Sequence, residues 1–333
     1  MAARGIADYR KVLSNFKKSK VLVIGDLMLD EFIWGDVSRI SPEAPVPVVW
    51  VKKESFMPGG ASNVANNLRS LGADVRVVGV IGDDEHGAIL KSELEQKGIN
   101  TFGIVTDPSR PTILKTRVVA HHQQVVRIDK ERKDRLSDAV IAKMVAHVKN
   151  IIRDVDAVII EDYAKNVITP ALLKQVLPLA RRNNKIISVD PKEEHFKYYR
   201  NISVITPNNH EAERAVGFAI TDDAALRKAG ARLIEKLNCG IALITLGEHG
   251  MAVFRKNKPM KHIPTVAQDV FDVSGAGDTV IASYTLSLAA GADPIVAAHI
   301  SNCAAGIVVG KVGIAVVSPD ELMARIEEEE VFS

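Results

Sequence analysis

Short runs rich in Val and Ile alternate with helix-length amphipathic segments along most of this chain, and this alternation constrains the fold more than any other feature. Strands buried on both faces read as near-continuous apolar runs, and helices between them act as crossovers joining parallel neighbours. The candidate strands are Val21–Gly25, Val75–Ile81, Ala157–Glu161, Ile186–Asp190, Val204–Thr206 and Ile241–Thr245. Candidate helices fall between them at Ala61–Leu71, His86–Lys97, Asp138–Ile152, Pro170–Arg181, His210–Val216 and Asp223–Leu237. The pattern predicts an α/β fold with a mostly parallel central sheet covered by helices on both faces.

Several strands end in a polar residue or glycine: Gly25-Asp26, Glu161-Asp162, Asp190-Pro191, Thr206-Pro207-Asn208 and Thr245-Leu246-Gly247. Ligands of open α/β sheets bind beyond the carboxyl ends of the strands, so these residues mark the expected site. Two segments break the rhythm, Glu31–Trp50 and Thr112–Ile128, and alternate like exposed antiparallel strands. Neither is followed by a crossover helix. Together they read as a small projecting sheet, either a lid over the site or a dimerisation surface.

A hydrophobic content of 47% over 333 residues is ample for one large core. The 43 basic and 41 acidic residues leave a net charge of +2, which argues against nucleic acid or membrane as partner and for a small molecule. Cys239 and Cys303 are too few for a disulfide framework and fit a reducing cytoplasm. Residues 1–20 hold no apolar run of signal-peptide length, and the stretch Cys303–Val317 is too short and too interrupted to span a bilayer.

The segment Asp272-Val273-Ser274-Gly275-Ala276-Gly277-Asp278-Thr279 opens an apolar helix that runs through Leu288. Gly275 and Gly277 admit backbone angles closed to other residues, so successive N–H groups around Ala276 can converge on an anion at the positive end of the helix. Phosphate is the natural guest. A carboxylate at Asp278 would repel that guest unless it does chemistry, such as taking the proton from an attacking hydroxyl. The same segment also reads as a glycine-rich turn with Asp278 as an N-terminal helix carboxylate.

The commoner nucleotide motifs are absent. There is no Gly-x-x-x-x-Gly-Lys-Ser/Thr, the run Gly275–Val280 lacks the third glycine of a dinucleotide fingerprint, and no protein-kinase signature is found. Other constellations supply the second reactant. Asp26 and Asp30 follow the first strand, where they can accept hydrogen bonds from a polyol, or act as a cap and a surface acid. Gly59-Gly60 starts a helix with Asn63 in its first turn. Asn208 and Glu211 either cap a helix or hold a hydrated Mg²⁺ beside nucleotide phosphates. Lys115, Arg117 and Arg127 alternate on the projecting sheet, and Lys165 and Lys192 sit at strand ends. Any of them can serve an anionic ligand or simply the solvated surface. His121, His122 and His249 have no partners at metal-ligand spacing and read as loop residues.

In this order along the chain, Gly59-Gly60-x-x-Asn63, Pro207-Asn208-x-x-Glu211, Thr245-Leu246-Gly247 with Gly250, and Asp272 to Asp278 resemble the motifs of the ribokinase-like (PfkB) carbohydrate kinases. The resemblance covers nearly the whole chain and implies a ribokinase-like three-layer α/β/α fold with a projecting lid. It further implies ATP bound across Lys192, Asn208, Thr245, Gly247, Gly250 and Asn302, Mg²⁺ held by Asn208 and Glu211, and Asp278 as base with Gly275, Ala276 and Gly277 as the phosphate cradle. Asp26, Asp30, Gly59, Gly60 and Asn63 would hold the sugar. A monovalent cation near Asp272 is also implied, although Val273 stands where the family usually has a hydroxyl residue. Ser38 to Val48, Asp162-Tyr163-Ala164-Lys165, Asp190-Pro191-Lys192 and Asp272 to Val280 are most similar to the branch acting on a heptose 7-phosphate. For that branch Lys115, Arg117, Arg127 and Lys165 would hold the substrate's phosphate. The expected organisation is a single kinase domain over residues 1–333, with lid segments at about 31–50 and 112–128 and no His-x-Gly-His nucleotidyltransferase motif after it. A homodimer sealed through the lid sheet is the expected assembly.

Overall fold

The computed structural model describes residues 5–121, 123–266, 270–311 and 313–332; His122 lies outside the described residues. The chain opens with helix α1 (Ile6–Asn15) and strand β1 (Lys20–Gly25), followed by β2 (Leu27–Ile40), β3 (Pro47–Gly60), α2 (Ala61–Ser70) and β4 (Asp74–Ile81). Next come α3 (Glu85–Gln96), β5 (Asn100–Thr106), β6 (Ile113–Ala120), β7 (Gln123–Lys130), α4 (Asp138–Ile151) and β8 (Ala157–Glu161). The middle of the chain holds α5 (Pro170–Arg182), β9 (Ile186–Asp190), β10 (Val204–Ile205), α6 (Asn209–Val216), α7 (Asp223–Leu237) and β11 (Ile241–Thr245). It closes with β12 (Met251–Arg255), β13 (Lys261–Ile263), α8 (Ala276–Ala289), α9 (Pro294–Val309) and α10 (Pro319–Phe332).

The central sheet has the order β13-β12-β11-β10-β9-β8-β1-β4-β5. Its strands from β5 to β11 are parallel, and β12 and β13 add an antiparallel edge. The alternating side chains of β1 show why this interior forms. Leu22 and Ile24 join an apolar cluster with residues of α4, α5 and α7, while Val21 and Val23 join one with residues of α1, α2, α8 and α9. Both faces are therefore covered, as the Val/Ile runs predict. The six predicted strands and six predicted helices all recur within one or two residues. Three strands of this sheet lacked a clear prediction: β5 and β13 lie at its two edges, where exposure weakens the apolar run, and β12, although buried, follows β11 through a short turn and not through a crossover helix. Cys239 and Cys303 are both buried thiols.

The projecting sheet has the order β3-β2-β6-β7. It departs from the predicted lid in two ways. Its first two strands are longer than the segment 31–50: β2 starts two residues after β1 ends, and β3 runs on to Gly60. The sheet is also mixed, because β2 pairs β6 in parallel while β2–β3 and β6–β7 are antiparallel. The chain between β3 and β6 passes through α2, β4, α3 and β5, and a connection of that length permits parallel pairing where a hairpin would not. Among the described residues, no helix is long and apolar enough to cross a membrane.

Candidate active site

Asp278 lies in the first turn of α8 and is buried, with both carboxylate oxygens engaged. Asn63 Nδ2, from the first turn of α2, donates to Oδ2 at 2.7 Å, and the Tyr163 hydroxyl donates to Oδ1 at 2.7 Å. Burial pushes the Asp278 carboxyl above the usual carboxylate range, against the pull of these two hydrogen bonds. A base raised toward neutrality accepts a proton more readily, so the site suits general-base work. Helices α2 and α8 are locked together one turn deeper, where Thr279 Oγ1 donates to Asn67 Oδ1 at 3.0 Å. Gly275 adopts φ 78°, and a Cβ there would stand 2.8 Å from Asn63 Nδ2.

The cradle differs from the expected one at Ala276. Its N–H donates to Val273 O at 3.2 Å, whereas Thr279 N donates to Gly275 O. By helix geometry the N–H groups of Gly277 and Asp278 are those left over for an anion. A Cβ built on Gly277 meets nothing within 4 Å, so the space above it is open. Asp272 Oδ1 is occupied locally, accepting the Ser274 N–H at 2.9 Å.

Asp26 is turned away from an open polyol site. Its Oδ2 accepts the N–H groups of Tyr163 (2.7 Å) and Lys165 (3.2 Å), and its Oδ1 that of Val167 (3.1 Å). Burial, helped by the neighbouring Asp162 charge, pushes this carboxyl up to about 6. Asp26 is thus the anchor of the loop that carries Tyr163. Asp30 does face the lid side, where it is buried against the Arg117 guanidinium. Burial raises its carboxyl despite that cation. A Cβ on Gly59 would fall 2.0 Å from Asp30 Oδ2, so only glycine leaves this carboxylate its place. Gly60, at φ 53°, turns the chain into α2.

The pairing register puts the candidate cations on one face of the lid. Asp30, Lys115 and Asp129 are cross-strand neighbours, as are Phe32, Arg117 and Arg127. Lys115 Nζ is 3.2 Å from Asp129, Arg127 pairs with Asp129 at 2.9 Å, and Lys165 Nζ lies 2.7 Å from Glu131. The Arg117 guanidinium also covers the Phe32 ring at 5.4 Å.

The remaining candidates lie at the ends of β9 to β11. Asn208 and Glu211 form a reciprocal capping box at the start of α6, and Lys192 pairs with Glu211. Burial lowers the Lys192 ammonium, but the Glu211 carboxylate outweighs this and leaves it raised. Asn208 bridges to Thr245, and the loop behind Thr245 closes by Gly250 N donating to Gly247 O at 3.0 Å. Asn302 is buried and donates to Pro264 O at 2.6 Å, so its amide supports the chain after β13. Between these residues and Asp278 sit two further acids, the buried Glu161 and the half-buried Asp190. Burial, then the adjacent Asp190 and Asp278 charges, push Glu161 well above the usual range; burial and the Glu211 charge raise Asp190 to about 7. Sequence reasoning missed Tyr163, Glu161 and Asp190 as site residues, although all three stand at the strand ends it marked. His249 lies in an exposed turn with no metal-type cluster around it among the described residues.

A buried carboxylate at a helix entrance, open N–H groups beside it and a polar run of strand ends are the parts that moving a phosphoryl group onto a hydroxyl calls for. The pfkB family carbohydrate kinase pattern matches residues 18–321, and the chain belongs to this family of phosphotransferases with an alcohol acceptor. Sugar kinases of this family use ATP with a divalent metal. The chain is 47% identical over 305 residues to the bifunctional protein HldE of Geobacter sulfurreducens, covering 92% of this chain and 62% of that protein. It is 46% identical to the bifunctional protein HldE of Desulfatibacillum aliphaticivorans, covering 96% of this chain and 65% of that one. The chain therefore spans less than two thirds of the length of these curated relatives. Among solved structures, ribokinase of Arabidopsis thaliana complexed with ribose and ATP superposes with a TM-score of 0.71 at 19% identity, covering 95% of this chain and 99% of that one. Phosphofructokinase-2 of Escherichia coli in complex with potassium gives 0.78 at 18% identity, covering 93% and 98%. These two likenesses bear on the fold, which is ribokinase-like.

Proposed function

We propose that this chain transfers the γ-phosphoryl group of ATP to the anomeric hydroxyl of D-glycero-β-D-manno-heptose 7-phosphate, forming the 1,7-bisphosphate on the route to ADP-heptose and the lipopolysaccharide core. The observation that carries this reading is the cation set on the lid face beside Asp30. Lys115, Arg117 and Lys165 are half-buried and held by Asp30, Asp129 and Glu131, and a substrate phosphate can take over those cations where a neutral sugar cannot. In the reaction, Asp278 takes the proton of the acceptor hydroxyl as its oxygen attacks in line. The N–H groups of Gly277 and Asp278, at the positive end of α8, stabilise charge on the transferred group. Asp30 and Asn63 orient the sugar, and Asp26 keeps the loop at 163–167 in place.

The nucleotide would lie across Lys192, Asn208 and the Thr245–Gly250 turn toward α9. The oxygens of Asn208 and Glu211 fit Mg²⁺, an ion that keeps most of its water and takes few protein ligands. Among the described residues there is no cluster of three or more acidic, His or Cys side chains able to cage a metal. When bound, Mg²⁺ neutralises charge on the nucleotide phosphates. A monovalent cation would use Asp272 and Ser274 as oxygen donors. The reading treats the chain as one kinase unit with its own lid, working in the cytoplasm, where thiols such as Cys239 and Cys303 stay reduced.

The test is ADP release measured with heptose 7-phosphate, fructose 6-phosphate, ribose and ketodeoxygluconate as acceptors. The heptose should lead in kcat/KM by about 10²-fold or more. Equal or better use of another acceptor overturns the substrate assignment. The lid also exposes Ile40, Trp50, Val51 and Ile128, each more than half accessible, an apolar load that a second copy of this chain would cover. We expect Trp50→Glu to halve the mass seen by sedimentation equilibrium; a monomeric parent protein would sink the dimer.

A further inference from the structure

The loop from Asp162 to Val167 is held more firmly than its surface position requires. Four of its N–H groups, those of residues 163, 164, 165 and 167, end on two buried carboxylates, Asp26 and Asp162. Asp162 is in turn fixed from below by the Tyr199 hydroxyl and by His195, whose Nδ1 is 2.6 Å away. Ala164 and Asn166 sit at φ 55° and 68°, conformations that non-glycine residues keep only where the surroundings impose them. What this support delivers is one side chain. The Tyr163 ring is backed by Lys192 Nζ at 5.6 Å, and its hydroxyl reaches Asp278 Oδ1 at 2.7 Å.

We infer that Tyr163 is a positioning residue for the phosphoryl transfer, its hydroxyl holding the Asp278 carboxylate in the orientation that meets the acceptor hydroxyl. The inference rests on Asp278 as the base, as proposed above. A carboxylate turns easily about its last bond, since that torsion is broad and two-fold. With one donor on each oxygen, Tyr163 opposite Asn63, the group has a single seat, and each oxygen keeps a lone pair for the substrate. An apolar side chain at 163 would fill the same space and leave the base free to rotate.

The hydroxyl has a second effect. Five titratable groups face Asp278 from the packed elements: Asp30 from β2, Glu161 at the end of β8, Tyr163, Asp190 at the end of β9, and Lys192 beyond it. Burial raises the Asp278 carboxyl, and the Tyr163 hydrogen bond is the strongest influence lowering it. Removing that bond raises the carboxyl further. More of the base is then protonated at a given pH, so the acid limb of the rate profile moves up.

Tyr163→Phe keeps the ring and its contact with Lys192 and removes only the hydroxyl. The expected result is an acid limb of kcat moved up by about one pH unit, with about tenfold lower turnover on that limb and an unchanged KM for ATP. Replacing Tyr163 by 3-fluorotyrosine, whose phenol is the stronger donor, should move the limb the opposite way, and it supplies the test in an intact ring should Tyr163→Phe fail to fold. Profiles that superimpose on the parent's, or that shift the same way in both proteins, overturn the inference. Asp278→Asn assayed alongside separates the two readings. If it turns over normally, the base assignment fails; if it is inactive while the Tyr163 profiles stay put, only the role of Tyr163 fails.

Discussion

Asp278→Asn is expected to lower kcat about 10²–10⁴-fold while ATP binds with near-parent affinity. The amide matches the carboxylate in size but cannot take a proton from the acceptor hydroxyl. It also alters the hydrogen bonding around it, since Tyr163 and Asn63 both donate to this group and an amide nitrogen accepts from neither. On the nucleotide side Asn208 bridges to Thr245 and Gly250 bonds to Gly247 and Leu246, contacts that the change does not remove. Single-turnover kinetics with isothermal titration of ATP separates the two effects. Near-parent turnover in this variant would falsify the base assignment, and a parallel loss of ATP binding would recast Asp278 as a structural residue.

Gly25→Ala should unfold the protein at distinctly lower denaturant, by about 3 kcal/mol or more, from one added methyl group. Gly25 ends β1 where it meets β8, and a Cβ there would stand 2.3 Å from Glu161 O and 2.8 Å from both the Ala61 and Glu161 Cβ atoms. None of these neighbours is a flexible tip that can swing aside. The carbonyl it would strike is also the one that accepts the Asp26 N–H, at 3.2 Å. Relief of the clash therefore moves Asp26, which releases the loop carrying Tyr163, so turnover should fall together with stability. Equilibrium urea unfolding of parent and variant is the direct measurement. Matching midpoints and slopes would show that β1 and β8 tolerate the wider spacing.

Much of the architecture was legible because each cue acts over a few residues. Ala157–Glu161 and Ile186–Asp190 read as buried strands since helices cover both faces, leaving no polar alternation. Strand β5 escaped because it lies at the sheet edge, where alternate residues are exposed. Asp278 stood out through the glycines around it. Tyr163 stood in one of the stretches that carry the resemblance, Asp162-Tyr163-Ala164-Lys165, but nothing in the chain tied its hydroxyl to Asp278 until α8 is seen above it. Asp26 shows the opposite case: an acid after the first strand looked free to meet a polyol, yet three backbone N–H groups claim it.

By itself, the order of apolar runs and glycines determined a parallel sheet with helices on both faces and marked the glycine-flanked Asp278 at the start of α8 as a candidate site, because periodicity and backbone freedom are properties of short stretches of chain. Only the tertiary structure decided which groups face one another. The sheet order that sets β8 beside β1 brings Tyr163 to Asp26, 137 residues away. The packing of α2 on α8 brings Asn63 to Asp278, 215 residues away. It also decided which carboxyls lie dry enough to rise toward neutrality, because desolvation depends on everything packed around a group and not on its neighbours in the chain.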